Sequence, residues 1–149
     1  MRKFRLKDLA ALPFVLCVRF LMLLGKLCRL TYEQISVVFN LWLQGAVLTL
    51  SAILPPGIAV VRLCSGFTIS RLLLVGLLVL YALLYFWAFL SMLSRYHLPF
   101  NRAFYCCVHD LQELARKWHT TYQMVNLLIF VVAFLVLLAL NIALSYWIY

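Results

Sequence analysis

The sequence predicts an all-α integral membrane protein with three transmembrane helices, because its composition is strongly apolar and three of its stretches are long and uncharged. Hydrophobic residues occupy 67 % of the 149 positions and charged residues only 11 %. A soluble chain is about 45 to 50 % apolar and about 25 % charged, so this apolar surface exceeds what a core of the same size can bury. We therefore expect one membrane domain over residues 1–149, and no internal repeat is apparent.

The three predicted spans are residues 35–54, 72–93 and 127–148. At about 1.5 Å per residue the second span reaches about 33 Å, enough to cross a hydrocarbon core of about 30 Å. The sequence Pro55-Pro56-Gly57 predicts the end of the first span and an outer loop over residues 55–71, since two prolines remove backbone donors. A kinked first span that continues to about Val61 is the alternative.

Residues 1–33 predict a basic amphipathic helix that lies in the membrane interface. On a helical wheel its charges, Arg19, Lys26 and Arg29 among them, occupy one narrow sector with apolar residues around the rest. The alternative is a fourth span over residues 9–24, which Arg19 disfavours because an ionised side chain at that depth is costly.

Residues 95–123 predict a second amphipathic helix that is cytoplasmic and runs into the third span. We expect Asn101 to be its N-cap, because Asn is favoured there and follows Pro99. Its polar face carries Arg102, Arg116 and Lys117. With Arg19, Lys26 and Arg29, these cations form a candidate surface for a cytoplasmic partner or anionic lipid.

The positions of Lys and Arg predict a cytoplasmic N-terminus and an outside C-terminus. This orientation puts eleven of the thirteen cations on the cytoplasmic side, as the positive-inside rule requires. The predicted location is the cell membrane, which is the inner membrane if the source is bacterial. The partners implied are anionic lipid headgroups and not nucleic acid. Four of the five cysteines then face the reducing side, so no disulfides are expected.

Polar and small side chains predict that the spans contact protein, because polar groups in hydrocarbon need partners and small residues allow close approach. Asn40 and Gln44 share a helix face, as do Asn141 and Ser145. The candidate packing or pore-lining residues are Asn40, Gln44, Gly45, Thr49 and Ser51 of the first span, Tyr81 and Tyr85 of the second, and Asn141 and Ser145 of the third. Assembly is the commoner use of such residues.

One cluster resembles a chemical site: Cys106, His109, Asp110 and Glu113 share a helix face, with His97 and His119 nearby in sequence. Thiolate, imidazole and carboxylate groups bind zinc, but one helix face rarely supplies four ligands and a solvated polar face explains the same residues. We therefore predict no catalytic, cofactor or metal site. Acylation of the adjacent Cys106 and Cys107 is a further hypothesis, for which simple packing of Cys107 is the preferred explanation.

These features favour a non-enzymatic accessory subunit of a larger membrane assembly, which docks through the polar and small faces of the first and third spans. Its partners are then other membrane subunits or further copies of the chain. The alternative is a homo-oligomeric channel or holin-like pore lined by Asn40 and Gln44. An enzyme that uses the His109 region is a third hypothesis.

Overall fold

The computed structural model describes residues 6–66, 68–96 and 99–149, with the side chains of residues 6–11 left undescribed. Over these ranges the chain forms five helices: α1 (Leu6–Cys28), α2 (Tyr32–Cys64), α3 (Ile69–Arg95), α4 (Phe100–Lys117) and α5 (Tyr122–Ile148). Helices α2, α3 and α5 are long and apolar enough to cross a membrane. The all-helical architecture with three such helices is confirmed.

Helix α2 continues through the Pro-Pro-Gly sequence, so the prediction that these residues end the first span was wrong. The helix ends at Cys64, beyond both the predicted end and the alternative end near Val61. Pro55 and Pro56 are buried, as is Ala59 one turn further on. Prolines are tolerated inside a membrane helix when neighbouring helices support the backbone, and α2 packs here against α3 and α5. Arg62, expected in a loop, therefore belongs to the last turn of α2.

Two predicted amphipathic helices are shorter than expected. Residues 1–33 do not form one helix, since α1 ends at Cys28 and Glu33 belongs to α2; residues 1–5 lie outside the described part. Helix α4 begins at Phe100 after Pro99, so Asn101 lies in its first turn and is not the N-cap. The expectation that this helix runs into the third span was also wrong, because the chain breaks between Lys117 and Tyr122.

The two breaks have the same construction. After α1, Arg29 adopts a left-handed conformation with φ 57°, and the Leu30 N–H donates to the Gly25 carbonyl oxygen at 2.8 Å. After α4, His119 has φ 51° and the Thr120 N–H donates to the Ala115 carbonyl oxygen at 2.9 Å. These are Schellman motifs, which satisfy the last carbonyl groups of a helix and end it.

Each break is followed by a threonine that caps the next helix. The hydroxyl oxygen of Thr31 accepts from the Gln34 N–H, and that of Thr121 accepts from the Met124 N–H, both at 3.3 Å. A π-helical segment then follows in both long helices, Val37–Leu43 in α2 and Leu128–Ala133 in α5. The two hairpins, α1–α2 and α4–α5, thus have the same sequence of structural features.

The hairpins are an internal repeat with an offset of 90 residues, so the expectation of no repeat was wrong. Phe14 of α1 packs edge-on against Tyr122, with 6.1 Å between ring centroids. The equivalent pair, Phe104 and Tyr32, packs in the same way at 5.8 Å. The first helix of each hairpin thus contacts the start of the other hairpin's long helix, which is the contact pattern of a two-fold relation. Helix α3 links the halves.

Candidate functional site

A cavity of about 310 Å³ lies between α1, α2, α4 and α5 at the end of the bundle where α1 and α4 lie. Both hairpins contribute to its walls. Five pairs of repeat-equivalent residues are identical in type and line it together: Phe14 with Phe104, Cys17 with Cys107, Val18 with Val108, Leu21 with Leu111, and Tyr32 with Tyr122. The cavity therefore lies between the two halves of the repeat, where the two-fold relation brings equivalent side chains together.

The cavity is largely aromatic and aliphatic, with a few uncharged polar groups. Its described lining includes no Lys, Arg, His, Asp or Glu side chain. Asn126 donates to the Tyr122 hydroxyl at 3.3 Å, and the Gln44 amide donates to the Phe130 main-chain oxygen at 3.0 Å. Gln44 thus binds a carbonyl group of the π-helical segment in α5, where the regular ladder of helix hydrogen bonds is altered.

Ser36 differs from Gln44 and Asn126 of the wall. It is only 6 % exposed, and its hydroxyl oxygen has no hydrogen-bond partner among the described residues. A buried unpaired hydroxyl costs about 1 to 3 kcal/mol, so it calls for an explanation. The Trp42 indole N–H, one and a half turns further along α2, is also buried and has no hydrogen-bond partner over the described ranges.

Two equivalent thiols also line this cavity, Cys17 from the first hairpin and Cys107 from the second. Burial raises the pKa of the Cys107 thiol to about 11, with smaller contributions from the charges of Asp110 and Cys106. Cys107 is therefore a neutral thiol at physiological pH, and a neutral thiol is a poor nucleophile and metal ligand. Cys106 beside it is exposed.

A second polar cluster lies deeper in the bundle and joins the three long helices. Asn141 is fully buried; its amide donates to the Ser51 hydroxyl at 2.7 Å, and its side-chain oxygen accepts from the Tyr81 hydroxyl at 2.5 Å. The hydroxyl oxygens of Tyr81 and Tyr85 are 3.2 Å apart, and Ser145 donates to the Asn141 main-chain oxygen at 2.8 Å. Ser51 and Asn141 are themselves repeat equivalents.

The structure thus places the predicted packing or pore-lining residues in different parts of the bundle. Asn40 and Gln44 line the cavity, whereas Ser51, Tyr81, Tyr85, Asn141 and Ser145 form the deeper cluster. Thr49 donates to the Gly45 carbonyl oxygen of its own helix. Gly45 lies against the Phe89 ring of α3. These hydrogen bonds are all within one chain, so no partner is needed to satisfy the groups that form them.

At the end of α3, Asp110 of α4 accepts hydrogen bonds from Arg95 at 2.8 Å and from Tyr96 at 2.7 Å. Partial burial opposes ionisation of Asp110, but the Tyr96 hydrogen bond and the Arg95 charge hold the pKa of this carboxyl group below its ordinary value. Tyr105 of α4 donates to Glu33 of α2 at 3.0 Å. These polar links fix α4 to the bundle.

The predicted Cys–His–carboxylate cluster is not assembled as a metal site. Over the described residues, no three His, Cys, Asp or Glu side chains lie close enough together to hold a metal ion. Asp110 is engaged with Arg95, while Glu113 lies 3.6 Å from Arg116. His97 lies outside the described residues. The remaining cations of the predicted partner surface, Arg19, Lys26, Arg29, Arg102 and Lys117, are all exposed.

The outer faces of α1 and α4 differ, although their inner faces are equivalent. The outward positions of α1 carry Leu12, Leu23 and Leu27, which are exposed by 71 %, 66 % and 79 %, and the exposed cations Arg19 and Lys26 lie among them. The equivalent positions of α4 carry Arg102, Glu113 and Lys117. A face of large apolar side chains is suited to lipid or protein, whereas a charged face is suited to water.

The fold and these sites define a class of protein: a helical chain with three candidate spans and an internally repeated pair of helical hairpins around an apolar cavity. The chain matches no protein-family model, and it shows no significant similarity to a curated protein or to a solved structure.

Proposed function

We propose that this chain is a non-enzymatic accessory subunit of a larger membrane assembly. In this proposal α2, α3 and α5 cross the membrane, and α1 and α4 lie at its cytoplasmic face. The positions of the described cations support that orientation, since Arg62 and Arg71 belong to the opposite end and the others to the end that carries α1 and α4.

The observation that carries the proposal is the difference between the outer faces of α1 and α4. A helix at the edge of a bundle is normally apolar on one face only, as α4 is. Helix α1 exposes large apolar side chains as well as cations: its inner face packs on the bundle through Leu21, and its outer face exposes Leu23 and Leu27 beside Arg19 and Lys26. We infer that this outer face contacts a helix of another membrane subunit. Gln44, Ser51 and Asn141 of the long helices are bonded within the chain, and in this proposal they are not the docking surface.

Photo-crosslinking in native membranes tests this docking surface with matched positions. A photoreactive residue at Leu23 is expected to yield a discrete protein adduct. The repeat-equivalent position, Glu113, and the lipid-facing Leu84 of α3 are the controls, and they are expected to yield no adduct of that size. The proposal would be contradicted if Leu23 gave the same adducts as Leu84 and if the native mass of the protein in mild detergent were that of a single chain.

The alternative is a pore lined by Asn40 and Gln44. It has less support, because both residues line a cavity between helices of one chain and Gln44 is bonded to Phe130. Ion flux through liposomes that contain the purified protein, and its loss in Gln44→Leu with assembly retained, would favour the pore. Absence of flux from protein that still forms the Leu23 adduct in membranes would favour the accessory subunit.

A further inference from the structure

We propose that the cavity between α1, α2, α4 and α5 is a binding site for an uncharged, flat ring compound of about two fused rings with one hydroxyl or carbonyl group. This inference is independent of the proposed docking surface. It concerns a ligand bound between helices of one chain, and it is tested on that chain alone.

The size of the cavity sets the size of the ligand. Small-molecule sites have volumes of about 300 to 1,000 Å³, so a volume of about 310 Å³ is at the lower end of that range. An apolar cavity of about 150 Å³ holds one benzene ring. About twice that volume corresponds to two fused rings.

The walls select for a flat and neutral molecule. Aromatic rings from both hairpins surround the space, among them Phe14, Phe104 and Phe130, and aromatic faces and edges favour other flat rings. The absence of a charged group among the described lining residues makes burial of an ion unfavourable.

The Ser36 hydroxyl supplies the polar contact. It lines the cavity, is almost fully buried, and has no hydrogen-bond partner in the part of the chain that the structure describes. A hydroxyl or carbonyl group on the ligand would satisfy it. Asn126 is the repeat equivalent of Ser36 and also lines the cavity, but its amide already donates to Tyr122.

The ligand has a route from the lipid phase. Leu16 and Phe20 of α1 border the cavity and are 57 % and 51 % exposed, so the space opens to the surroundings beside α1. An uncharged ring compound dissolved in the membrane can enter there without crossing a charged surface.

Three fluorescent or ultraviolet-absorbing probes test the proposal on the full chain in lipid nanodiscs: 1-naphthol, naphthalene and 1-naphthalenesulfonate. We expect saturable 1:1 binding of 1-naphthol above the partition into empty nanodiscs. Naphthalene is expected to bind about fivefold more weakly, since it lacks one hydrogen bond of about 1 kcal/mol. The sulfonate is expected not to bind. No saturable 1-naphthol binding, or equal binding of the sulfonate, would overturn the proposal.

Variants locate the site. Ser36→Ala should remove the advantage of 1-naphthol over naphthalene while naphthalene binding is retained, and persistence of that advantage would exclude Ser36 as the contact.

Val18→Trp and its repeat equivalent Val108→Trp should fill the cavity from opposite halves and abolish binding of both probes. Leu84→Trp on the exposed face of α3 is the matched control. If it weakens binding as much as the cavity variants do, the site lies elsewhere. Helicity and monodisperse elution show whether each variant is folded. If the tryptophan variants do not fold, the Ser36→Ala comparison still tests the site.

Discussion

At the residue scale, burial decides the chemistry of side chains that look alike in the sequence. Cys106 and Cys107 are neighbours, yet Cys106 is exposed and Cys107 faces the cavity. Asn40 and Asn141 are both asparagines in candidate spans, yet only Asn141 is fully buried and bonded to two other helices. The sequence indicated which of these side chains are polar, but the partners of Asn141 lie 60 and 90 positions away in the chain.

We expect Cys107 to react with N-ethylmaleimide far more slowly than Cys106. A pKa of about 11 in place of the ordinary 9.0 leaves about 100-fold less thiolate at pH 8. Burial slows access further. The rates are measured in two versions of the chain that each retain only one of the two thiols, with the other cysteines replaced by Ser. The rates should become similar after unfolding in detergent, and similar rates in the folded protein would refute the buried position of Cys107.

Asn141→Ala should destabilise the fold by about 1 to 3 kcal/mol. The change removes two interhelical hydrogen bonds of about 0.6 to 1.7 kcal/mol each and leaves the Ser51 and Tyr81 hydroxyls without that partner. The measurement is reversible unfolding in mixed micelles. Leu140→Ala, at an exposed neighbouring position, is the control. An equal effect of the two substitutions would show that the cluster contributes nothing to stability.

At the element scale, the spacing of apolar residues predicted the helices, and tertiary packing determined several of their ends. The Pro-Pro-Gly sequence ends a helix in water, but α2 continues through it because α3 and α5 pack on that part of the helix. The break before α5 was not expected, since the sequence predicted that the helix of residues 95–123 runs into the third span. The structure locates a left-handed His119 and a Thr121 cap there.

Gly45 and Gly57 of α2 should differ in their tolerance of alanine. A Cβ atom at Gly45 would lie 2.7 Å from the Phe89 ring of α3, whereas one at Gly57 meets nothing within 4 Å. We expect Gly45→Ala to cost about 1 to 3 kcal/mol, because the ring must move or the helices must separate. Gly57→Ala should be neutral or stabilising by up to about 1 kcal/mol, since alanine favours helix.

The same unfolding assay compares the two glycine variants, and Phe89→Ala in the Gly45→Ala background is expected to relieve the clash. If Gly45→Ala is as well tolerated as Gly57→Ala, the close approach of α2 and α3 is incorrect.

At the scale of the whole molecule, the internal repeat explains the arrangement of the helices. Two hairpins with the same breaks, caps and π-helical segments pair so that the first helix of each, α1 or α4, covers the start of the other hairpin's long helix. The inner faces are alike and enclose the cavity. The outer faces differ, and this difference supports separate roles for α1 and α4.

The two-fold relation predicts equal coupling energies for the two reciprocal aromatic contacts. Double-mutant cycles with leucine substitutions should give about 0.5 to 1.5 kcal/mol for Phe14 with Tyr122, and a similar value for Phe104 with Tyr32. The cross pair Phe14 and Tyr32, for which the structure gives no ring contact, should give a coupling near zero. Unequal couplings for the reciprocal pairs, or a large one for the cross pair, would be inconsistent with the repeat.

The sequence by itself determined the helical class and the number of long apolar helices, because composition and periodicity are local properties that do not depend on partners. It also contained the repeat, visible as identical residues 90 positions apart such as Tyr32 and Tyr122, but the apolar background of a membrane-like sequence concealed it. Only the tertiary structure decided that the polar groups of the deeper cluster bind one another and that α2 continues through Pro55 and Pro56. It also decided that the Ser36 hydroxyl has no hydrogen-bond partner among the described residues, although it is buried in a cavity wall. Each of these depends on which helices become neighbours, and that is set by packing across the two halves of the chain.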